Sequence, residues 1–329
     1  MQTQVPQHAF KNPFLMDTLL ALSSMHLQKI GQPVDANRAV AYRVRAYEGY
    51  RKAIEAARPD TYAALMATSL ILTALSAQNF RDPTAPDLYI IDWMLVWRGI
   101  SLMVNMVTLP EVLNSGMGGL FYRPPMDMSL ASQHIPKELL FMLASIQPDD
   151  PDYDDREHYL TTMRYVGALY QNLQDGLSPV MRLRIIVWFT FLPPRFFDLA
   201  REQRPRALII IAYYTAFLKL TKRIWWMEGV GQRSITDLIS HLSSPEWDEY
   251  LGMPCRVALV DSEEEVGRAI LDDPDWDMNK VIPQLGSLTL FEEPPLTYVD
   301  HAGQAVALSD DGDVVVQSPE GGGGSPVWH

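Results

Sequence analysis

The sequence lacks most of the features by which common enzyme classes and exported proteins are recognised. One cysteine, Cys255, in 329 residues excludes a disulfide framework and a cysteine-rich metal module, and it favours a reducing compartment. No HExxH pattern, Gly-x-Ser-x-Gly elbow, phosphate loop or dinucleotide fingerprint is present, and no two of the seven histidines lie three or four residues apart. The sequence therefore predicts no bound metal and no cofactor.

Targeting and membrane-spanning signals are also missing. The first ten residues are polar and do not show the basic-then-apolar pattern of a secretory signal. The most apolar run, Ala207 to Leu218, is too short to cross a bilayer and ends at Lys219. We therefore expect an intracellular protein, cytoplasmic or nuclear, without a membrane span.

Basic residues are scarce, and they are unevenly distributed. The net charge is −13. After Cys255 three basic residues stand against fifteen acids, so residues 256–329 carry −12 and residues 1–255 only −1. Nucleic-acid binders concentrate Lys and Arg, so we expect no direct contact with nucleic acid. The predicted division is a domain at 1–255 and an acidic, partly disordered tail at 256–329.

Residues 1–255 have the pattern of successive amphipathic and apolar helices. Asn12-Pro13 supplies a cap residue and a proline at the first helical position, and apolar residues then recur at helical spacing up to Gly31. Strands and helices do not alternate anywhere in this part. The predicted fold class is all-α, a single large multi-helix domain. In the tail we expect one helix, Ser262 to Leu271, and short strands at Thr297–Val299 and Val314–Val316.

Two runs rich in aspartate, Asp149 to Asp155 and Asp272 to Asp277, have two interpretations. Carboxylates one helical turn apart can share a magnesium ion, but the residue at that spacing is Tyr153 in one run and Trp276 in the other. Both runs contain proline, and aspartate stabilises helix N-termini. We therefore favour capping loops over a metal site.

Aromatic residues in the apolar helical stretches are the other distinctive feature. They are Trp93, Trp97, Trp188, Tyr213, Tyr214, Trp225 and Trp226. One interpretation is that they fill a solid core. The other is that, together with nearby methionines, they line an adaptable apolar cavity. The sequence by itself does not separate these two interpretations.

Several phrases, in a fixed order, resemble a known family. They are Asn12 to Leu27, Tyr42 to Arg51, Trp93 to Ile100, Arg204 to Leu208, Trp225 to Gly229, and Trp247 to Pro254. This order resembles the C-terminal regulatory domain of fungal binuclear-zinc-cluster transcription factors, in particular the sterol uptake control protein branch. The resemblance covers about residues 8–255.

The resemblance implies an α-helical domain that binds a lipophilic molecule, a sterol or a terpenoid, and forms a homodimer or a heterodimer with another regulator. Tyr213, Tyr214, Trp225, Trp226 and Gly229 are carried over as ligand-pocket residues. To these we add three neighbours in apolar helical stretches, which are Trp93, Trp97 and Met227. Paired tryptophans supply large apolar walls with one donor each, and glycine lets the backbone turn close to a ligand.

The chain also departs from the family pattern. A Zn₂Cys₆ DNA reader needs six cysteines and a neighbouring basic segment, whereas this sequence has one cysteine. We therefore expect a regulator-like domain without its own zinc cluster, which controls gene expression through a segment or partner that contacts DNA.

Two further functions stay open at this point. A helical domain with an apolar cavity could act as a cofactor-free cyclase or isomerase of a terpenoid or polyketide in a secondary-metabolite pathway. The candidate catalytic residues are then His26, Arg98, Tyr213 and Tyr214. The chain could also be a dimerisation partner that binds no ligand.

Overall fold

A computed structural model describes residues 4–56, 58–106, 128, 130–280, 298–299, 305–308 and 314–316. The described residues contain thirteen α-helices, so the predicted all-α class is confirmed. They are α1 (Gln4–Lys11), α2 (Pro13–Lys29), α3 (Ala36–Ala56), α4 (Tyr62–Ser76), α5 (Tyr89–Met106), α6 (Lys137–Ala144), α7 (Arg156–Leu173), α8 (Pro179–Val187), α9 (Pro194–Arg201), α10 (Pro205–Leu218), α11 (Val230–His241), α12 (Gly252–Ala258) and α13 (Glu263–Leu271). Short 3₁₀ turns join several of them, including Trp188–Phe191 and Lys219–Thr221.

Helices α1 to α4 form an N-terminal layer. Helices α2 and α3 pack along each other, and Gly49 of α3 lies so close to α2 that a Cβ atom there would be 2.7 Å from the Cβ of Phe14. A glycine is therefore needed for this approach. The layer is held by two small apolar clusters, one around Phe14 and Leu65 and one around Met25 and Leu75.

The larger core surrounds α10. Every residue of α10 from Ala207 to Leu218 is buried, and the helix contacts α7, α8, α9, α11, α12 and α13. A helix that is apolar on all sides must lie inside the protein, because no face of it is stable in water. Helix α10 is thus the central element of the C-terminal part.

Helix α10 ends at Leu218, where the chain continues into the 3₁₀ turn Lys219–Thr221. The side chain of Lys219 is buried there, and its ammonium group donates to the carbonyl oxygens of Val257 and Val260 at 2.8 and 2.6 Å. It also donates to Gln232. A buried ammonium group needs such acceptors, and here they lie beside the end of α12.

Residues 256–280 pack on the helical body, although the sequence analysis assigned them to the tail. Helix α13 begins with a capping box between Ser262 and Glu265, and Glu263 is buried beside Arg182. Trp276 is buried and its Nε1 donates to the carbonyl oxygen of Leu173 at 2.8 Å. The acids that dominate this segment are mostly cap and turn residues. In the sequence, they make the apolar residues of its inner face hard to recognise.

Farther on, the backbone forms a three-stranded antiparallel sheet, β1 (Tyr298–Val299), β2 (Ala305–Leu308) and β3 (Val314–Val316), in the order β1-β2-β3. The first and last strands fall where the sequence predicted short strands. The expected partial disorder of the tail concerns residues 281–297, 300–304, 309–313 and 317–329, which lie outside the described residues.

One segment of the described chain is long and apolar enough to cross a membrane by length and composition. It is Pro59–Arg81, and 72% of its most apolar window is buried inside the protein. Such burial is typical of the core helix of a globular protein, because a spanning helix exposes its surface to lipid. The segment is therefore weak evidence for a membrane span.

Candidate functional site

The predicted pocket residues do not lie in one place. Trp93 and Trp97 of α5 belong to a buried aromatic cluster that also contains Phe189 and Tyr214. The ring of Trp93 makes edge contacts to Trp97 and Phe189, each at 5.7 Å between centroids. Phe189 lies 4.8 Å from Tyr214. This chain of rings joins α5 to α10 through the 3₁₀ turn that contains Phe189.

Trp188 completes this aromatic cluster, and it was not among the predicted pocket residues. Its indole stacks on the ring of Tyr214 with 4.1 Å between centroids and 12° between planes. The signal in the sequence was the apolar run that follows Pro179. However, only the packing against α10 shows that this tryptophan is central.

Some of the indole N–H and hydroxyl groups of the aromatic cluster form hydrogen bonds and others do not. Trp93 Nε1 donates to the carbonyl oxygen of Thr73, and Tyr214 Oη donates to that of Ile185, each at 2.9 Å. The indole nitrogens of Trp97 and Trp188 are buried and have no hydrogen-bond partner among the residues that the structure describes. An unpaired buried donor costs about 1–3 kcal/mol, so these two N–H groups are the places where an acceptor would contribute most.

Tyr213 faces a different side of α10 from Tyr214. It is buried and lies within electrostatic range of Tyr170 and Glu138. In the described part of the chain its hydroxyl has no hydrogen-bond partner. Burial raises the pKa of the Tyr213 phenol above its usual value, with a smaller contribution from Glu138. The hydroxyl is therefore a neutral donor without an acceptor.

Trp225 and Trp226 lie at the junction between the N-terminal layer and the larger core. Both are half-buried and pack with the small cluster around Met25 and Leu75. The ring of Trp225 lies 4.8 Å from that of His26, which is exposed near the end of α2.

The junction is fixed by polar contacts on either side of these tryptophans. Lys29 of α2 forms an ion pair with Glu228, and Arg81 Nη1 donates to the carbonyl oxygen of Glu228 at 3.3 Å. Gly229 follows with a φ of +84°, a conformation that favours glycine, and it caps α11. The neighbouring Met227 is fully buried in the larger core. The loop thus touches α2, the turn after α4 and α11 at once.

Three of the four residues named as catalytic candidates, Arg98, His26 and Tyr214, have separate partners. Arg98 Nη1 donates to Asp198 at 3.2 Å, and its guanidinium lies over the ring of Phe197. His26 contacts Trp225, and Tyr214 bonds to Ile185. Within the described residues, no hydrogen bond, ion pair or ring contact links His26, Arg98 and the two tyrosines to one another.

The first aspartate run is held by arginines from α9 and α10. Arg195 donates to both carboxylate oxygens of Asp155, at 2.9 and 2.8 Å, and Arg206 binds Asp150 and Asp152. The hydrogen bond from Arg195 lowers the pKa of Asp155. These carboxylates have cationic partners, which is an arrangement suited to joining helices.

The second aspartate run forms turns. The carboxylate of Asp273 accepts from the backbone N–H of Asp275 at 2.9 Å, and that of Asp277 accepts from the N–H of Asn279 at 2.8 Å. In the part of the chain that the structure describes, no group of three or more His, Cys, Asp or Glu side chains is arranged to hold a metal ion.

An open cleft of about 520 Å³ lies between α6 and the start of α7, away from the predicted pocket residues. Its apolar floor and charged rim are formed by Leu140, Leu143, Ala144, Tyr153, Asp154, Arg156, Glu157 and Leu160. Sequence reasoning missed this cleft, since its side chains come from two helices and from the aspartate-rich loop between them.

Sequence comparison finds relatives of this chain among fungal proteins. The chain is 22% identical over 347 aligned positions to a Zn(2)-C6 fungal-type transcription factor of Gibberella zeae, an alignment that covers 97% of this chain and 69% of that protein. It is 25% identical to sterol uptake control protein 2 of Candida albicans (83% of this chain, 40% of that protein). The corresponding Saccharomyces cerevisiae protein is 24% identical (69% and 26%). No family model matches the chain.

These relatives confirm the resemblance that the sequence phrases predicted. The chain is an all-α protein related in sequence to a Zn(2)-C6 fungal-type transcription factor and to two sterol uptake control proteins. It spans less than half the length of each of those two, so it corresponds to only a part of them.

Proposed function

We propose that this chain is a transcription-regulatory module that responds to a lipophilic small molecule with an oxygen acceptor, a sterol or a terpenoid. The observation that carries the proposal is the alignment of nearly the whole chain with a fungal transcription factor and of 83% of it with a sterol uptake control protein. Sequence relationship over that length supports a regulator-like role.

The interior of the protein supports the choice of ligand class. The aromatic cluster of Trp93, Trp97, Trp188, Phe189 and Tyr214 offers a broad apolar surface, and two of its indole N–H groups have no acceptor. A bound carbonyl or hydroxyl oxygen would satisfy such a donor, whereas a pure hydrocarbon would not. The ligand would enter by displacing packed side chains, since tryptophan and methionine interiors can adapt to a guest.

The loop Trp225 to Gly229, at the junction between the N-terminal layer and the larger core, would let the module respond to a bound ligand. Trp225 and Trp226 pack against the N-terminal layer, while Met227 is buried in the larger core of the same molecule. A ligand that binds one relative arrangement of the two parts more tightly would shift the population toward it. The DNA-binding segment or partner would then respond differently to the two arrangements of the module.

The DNA contact itself would come from elsewhere. The 329 residues contain a single cysteine, and a Zn₂Cys₆ cluster requires six. In this proposal the zinc cluster belongs to further sequence or to a partner regulator with which the module forms a homodimer or heterodimer.

Ligand binding is tested by thermal unfolding in the presence of ergosterol, farnesol and squalene, with squalene as the matched hydrocarbon that has no oxygen. A ligand at 100 times its Kd stabilises by about 2.7 kcal/mol, which corresponds to a rise in Tm of roughly 4 °C for a chain of this size. We expect a concentration-dependent rise with an oxygenated lipid and little with squalene. A flat Tm with all three lipids contradicts the proposal.

A pair of tryptophan variants locates the site. Trp188→Phe removes an indole N–H that has no partner, whereas Trp93→Phe removes one that already bonds to Thr73. We expect Trp188→Phe to weaken binding of the oxygenated lipid about fivefold to tenfold, equivalent to roughly 1–1.4 kcal/mol. Both substitutions leave a cavity in the core and lower stability. Trp93→Phe is expected to lower it by about 1 kcal/mol more, because it also removes a hydrogen bond. Equal affinity for both variants and the unaltered chain would place the ligand outside the aromatic cluster.

A further inference from the structure

Helix α3 stands out as the least buried long helix of the N-terminal layer. Only Ala39 and Ala46 of its 21 residues are buried, and its main contacts are with α2 and, to a smaller extent, α4. A helix of this length with two buried alanines leaves most of its surface free for another partner. This surface is unrelated to the aromatic cluster, so the inference does not depend on the proposed function.

The charge of α3 is opposite to that of the chain as a whole. The helix carries five basic and two acidic residues, a net +3 in a chain of net −13. Arg38, Arg45 and Lys52 are spaced seven residues apart and share one side of the helix. The side chain of Arg38 is 78% exposed, and its carboxylate partner Asp35 is 3.9 Å away.

Other cations of the body are bound more tightly. Arg182 is held by the buried Glu263 at 3.0 Å, and Arg195 is held by Asp155 at 2.8 Å. In contrast, Arg51 of α3 is 75% exposed and lies 3.7 Å from Glu55. Arg45 is the exception on α3, since it is held by Asp17 of α2 at 2.7 Å. Arg38 and Arg51 are thus more available to an acidic partner than Arg182 of α8 or Arg195 of α9.

An apolar stripe runs along another side of α3. Val40, Val44 and Tyr47 follow the spacing i, i+4, i+7, which places them on one side, and they are 56%, 48% and 42% exposed. Exposed large apolar residues at this spacing are typical of a helix that docks a partner. The partner that fits α3 is therefore acidic and also carries apolar side chains.

The C-terminal segment of the same chain, residues 281–329, has this chemistry. It contains seven acids and no Lys or Arg, and it includes Phe291, Tyr298, Val314–Val316 and Trp328. Lys280, where the segment begins, lies beside Gln174 at the end of α7. An extended chain spans about 3.3 Å per residue, so even a third of the segment exceeds the roughly 50 Å diameter of a body of this size.

We propose that the outer surface of α3 is a docking surface for the acidic C-terminal segment of the same chain. Tethering gives the segment a millimolar effective concentration at α3, which a separate acidic peptide would rarely reach. The charges select the segment and the apolar stripe adds burial. Docking would keep α3 from other partners, and release of the segment would expose it.

The test is carbodiimide cross-linking of the full chain, followed by mass spectrometry. The reagent joins an amine directly to a carboxylate, and Lys52 is the lysine of α3. We expect Lys52 to couple to Glu292, Glu293 or the later acids at least fivefold more than Lys11 does, since Lys11 is an exposed lysine on α1. The excess should vanish in 0.5 M salt, which screens exposed charges.

An equal mixture of ¹⁴N and ¹⁵N chains distinguishes contacts within one molecule from contacts between molecules. Products of a single isotope support the proposal. Mixed-isotope products that approach half of the total, which is the share expected when chains pair at random, overturn it and make α3 an interface between copies. Coupling of Lys52 no greater than that of Lys11 also overturns it. So does co-sedimentation with phosphatidylserine vesicles that competes with the cross-link, because α3 would then be a membrane-surface helix.

Two surface variants check that α3 is responsible. Arg38→Glu and Val44→Asp each change an exposed residue, so we expect an unchanged Tm and at least a threefold loss of the Lys52 cross-link. Arg201→Glu, on α9, is the matched control and is expected to leave the cross-link intact. Loss of the cross-link in the control but not in the two α3 variants would contradict the proposed docking surface.

Discussion

Helices α10 and α3 are both long and regular, yet they have opposite relations to the rest of the molecule. Helix α10 is buried on every side from Ala207 to Leu218 and touches six other helices. Helix α3 buries two alanines and packs mainly on α2. Stability therefore resides around α10, while α3 offers surface.

The comparison also separates two uses of aromatic residues. Tyr213 and Tyr214 of α10 are both buried, and Tyr214 is stacked on Trp188. Tyr47 of α3 is partly exposed beside two valines. An aromatic side chain inside the core is a packing element, whereas one on an outer stripe is available for contact.

We expect the largest difference between the two helices in the free energy of unfolding when one apolar side chain in each is truncated to alanine. Ile211→Ala on α10 leaves a cavity in a fully packed core and should lower the free energy of unfolding by about 2–5 kcal/mol. Val44→Ala on α3 should change it by less than about 0.5 kcal/mol. Urea unfolding of both variants measures the contrast. Similar losses in the two would show that α3 is covered by other parts of the protein.

The next effect tests the contact between α10 and α11. In the structure, a Cβ atom on Gly231 would lie 2.5 Å from the backbone nitrogen of Lys219 and 2.7 Å from the carbonyl carbon of Leu218. Backbone atoms in packed helices cannot move away without loss of other contacts. Gly231→Ala should therefore lower the free energy of unfolding by about 2–3 kcal/mol.

Gly99→Ala is the matched control for this close approach. Gly99 is inside α5, and no described atom lies within 4 Å of a Cβ atom placed there. Alanine should stabilise the helix there by about 0.5–1 kcal/mol. Thermal unfolding distinguishes the two variants, and a neutral Gly231→Ala would mean that α10 and α11 are farther apart than described.

The smallest effect distinguishes the two neighbouring tyrosines of α10. Tyr214→Phe removes a hydrogen bond to Ile185 and should cost about 1 kcal/mol, whereas Tyr213→Phe removes a hydroxyl without a partner and should be neutral or slightly stabilising. Chemical denaturation measures both values. A larger loss for Tyr213→Phe would reveal a polar partner for its hydroxyl.

The helices were predictable because their signals are local. Pro13 starts α2, Ser262 and Glu265 form the capping box of α13, and the continuous apolar run from Ala207 requires an inner position. Each depends on residues within one or two turns. The burial of Lys219 at the end of α10 was not predictable in this way, since the partners of its ammonium group lie about 40 residues later in the chain.

The candidate site was much less predictable, because its members are brought together by distant packing. Nothing local distinguishes Trp97, whose indole nitrogen has no partner, from Trp93, whose nitrogen bonds to Thr73. The role of Asp155 was equally hidden, because its partner Arg195 follows 40 residues later. The ligand-pocket and catalytic roles of the named residues stay predictions.

The sequence by itself determined the helical class, the positions of most helices and the acidic character of the C-terminal residues, since composition and periodicity act within a few turns. Only the tertiary structure decided which aromatic tips lack partners, that the aspartates pair with arginines, and that Trp276 belongs to the core. These outcomes depend on contacts between helices far apart in the chain, and burial and electrostatics respond to distance in space.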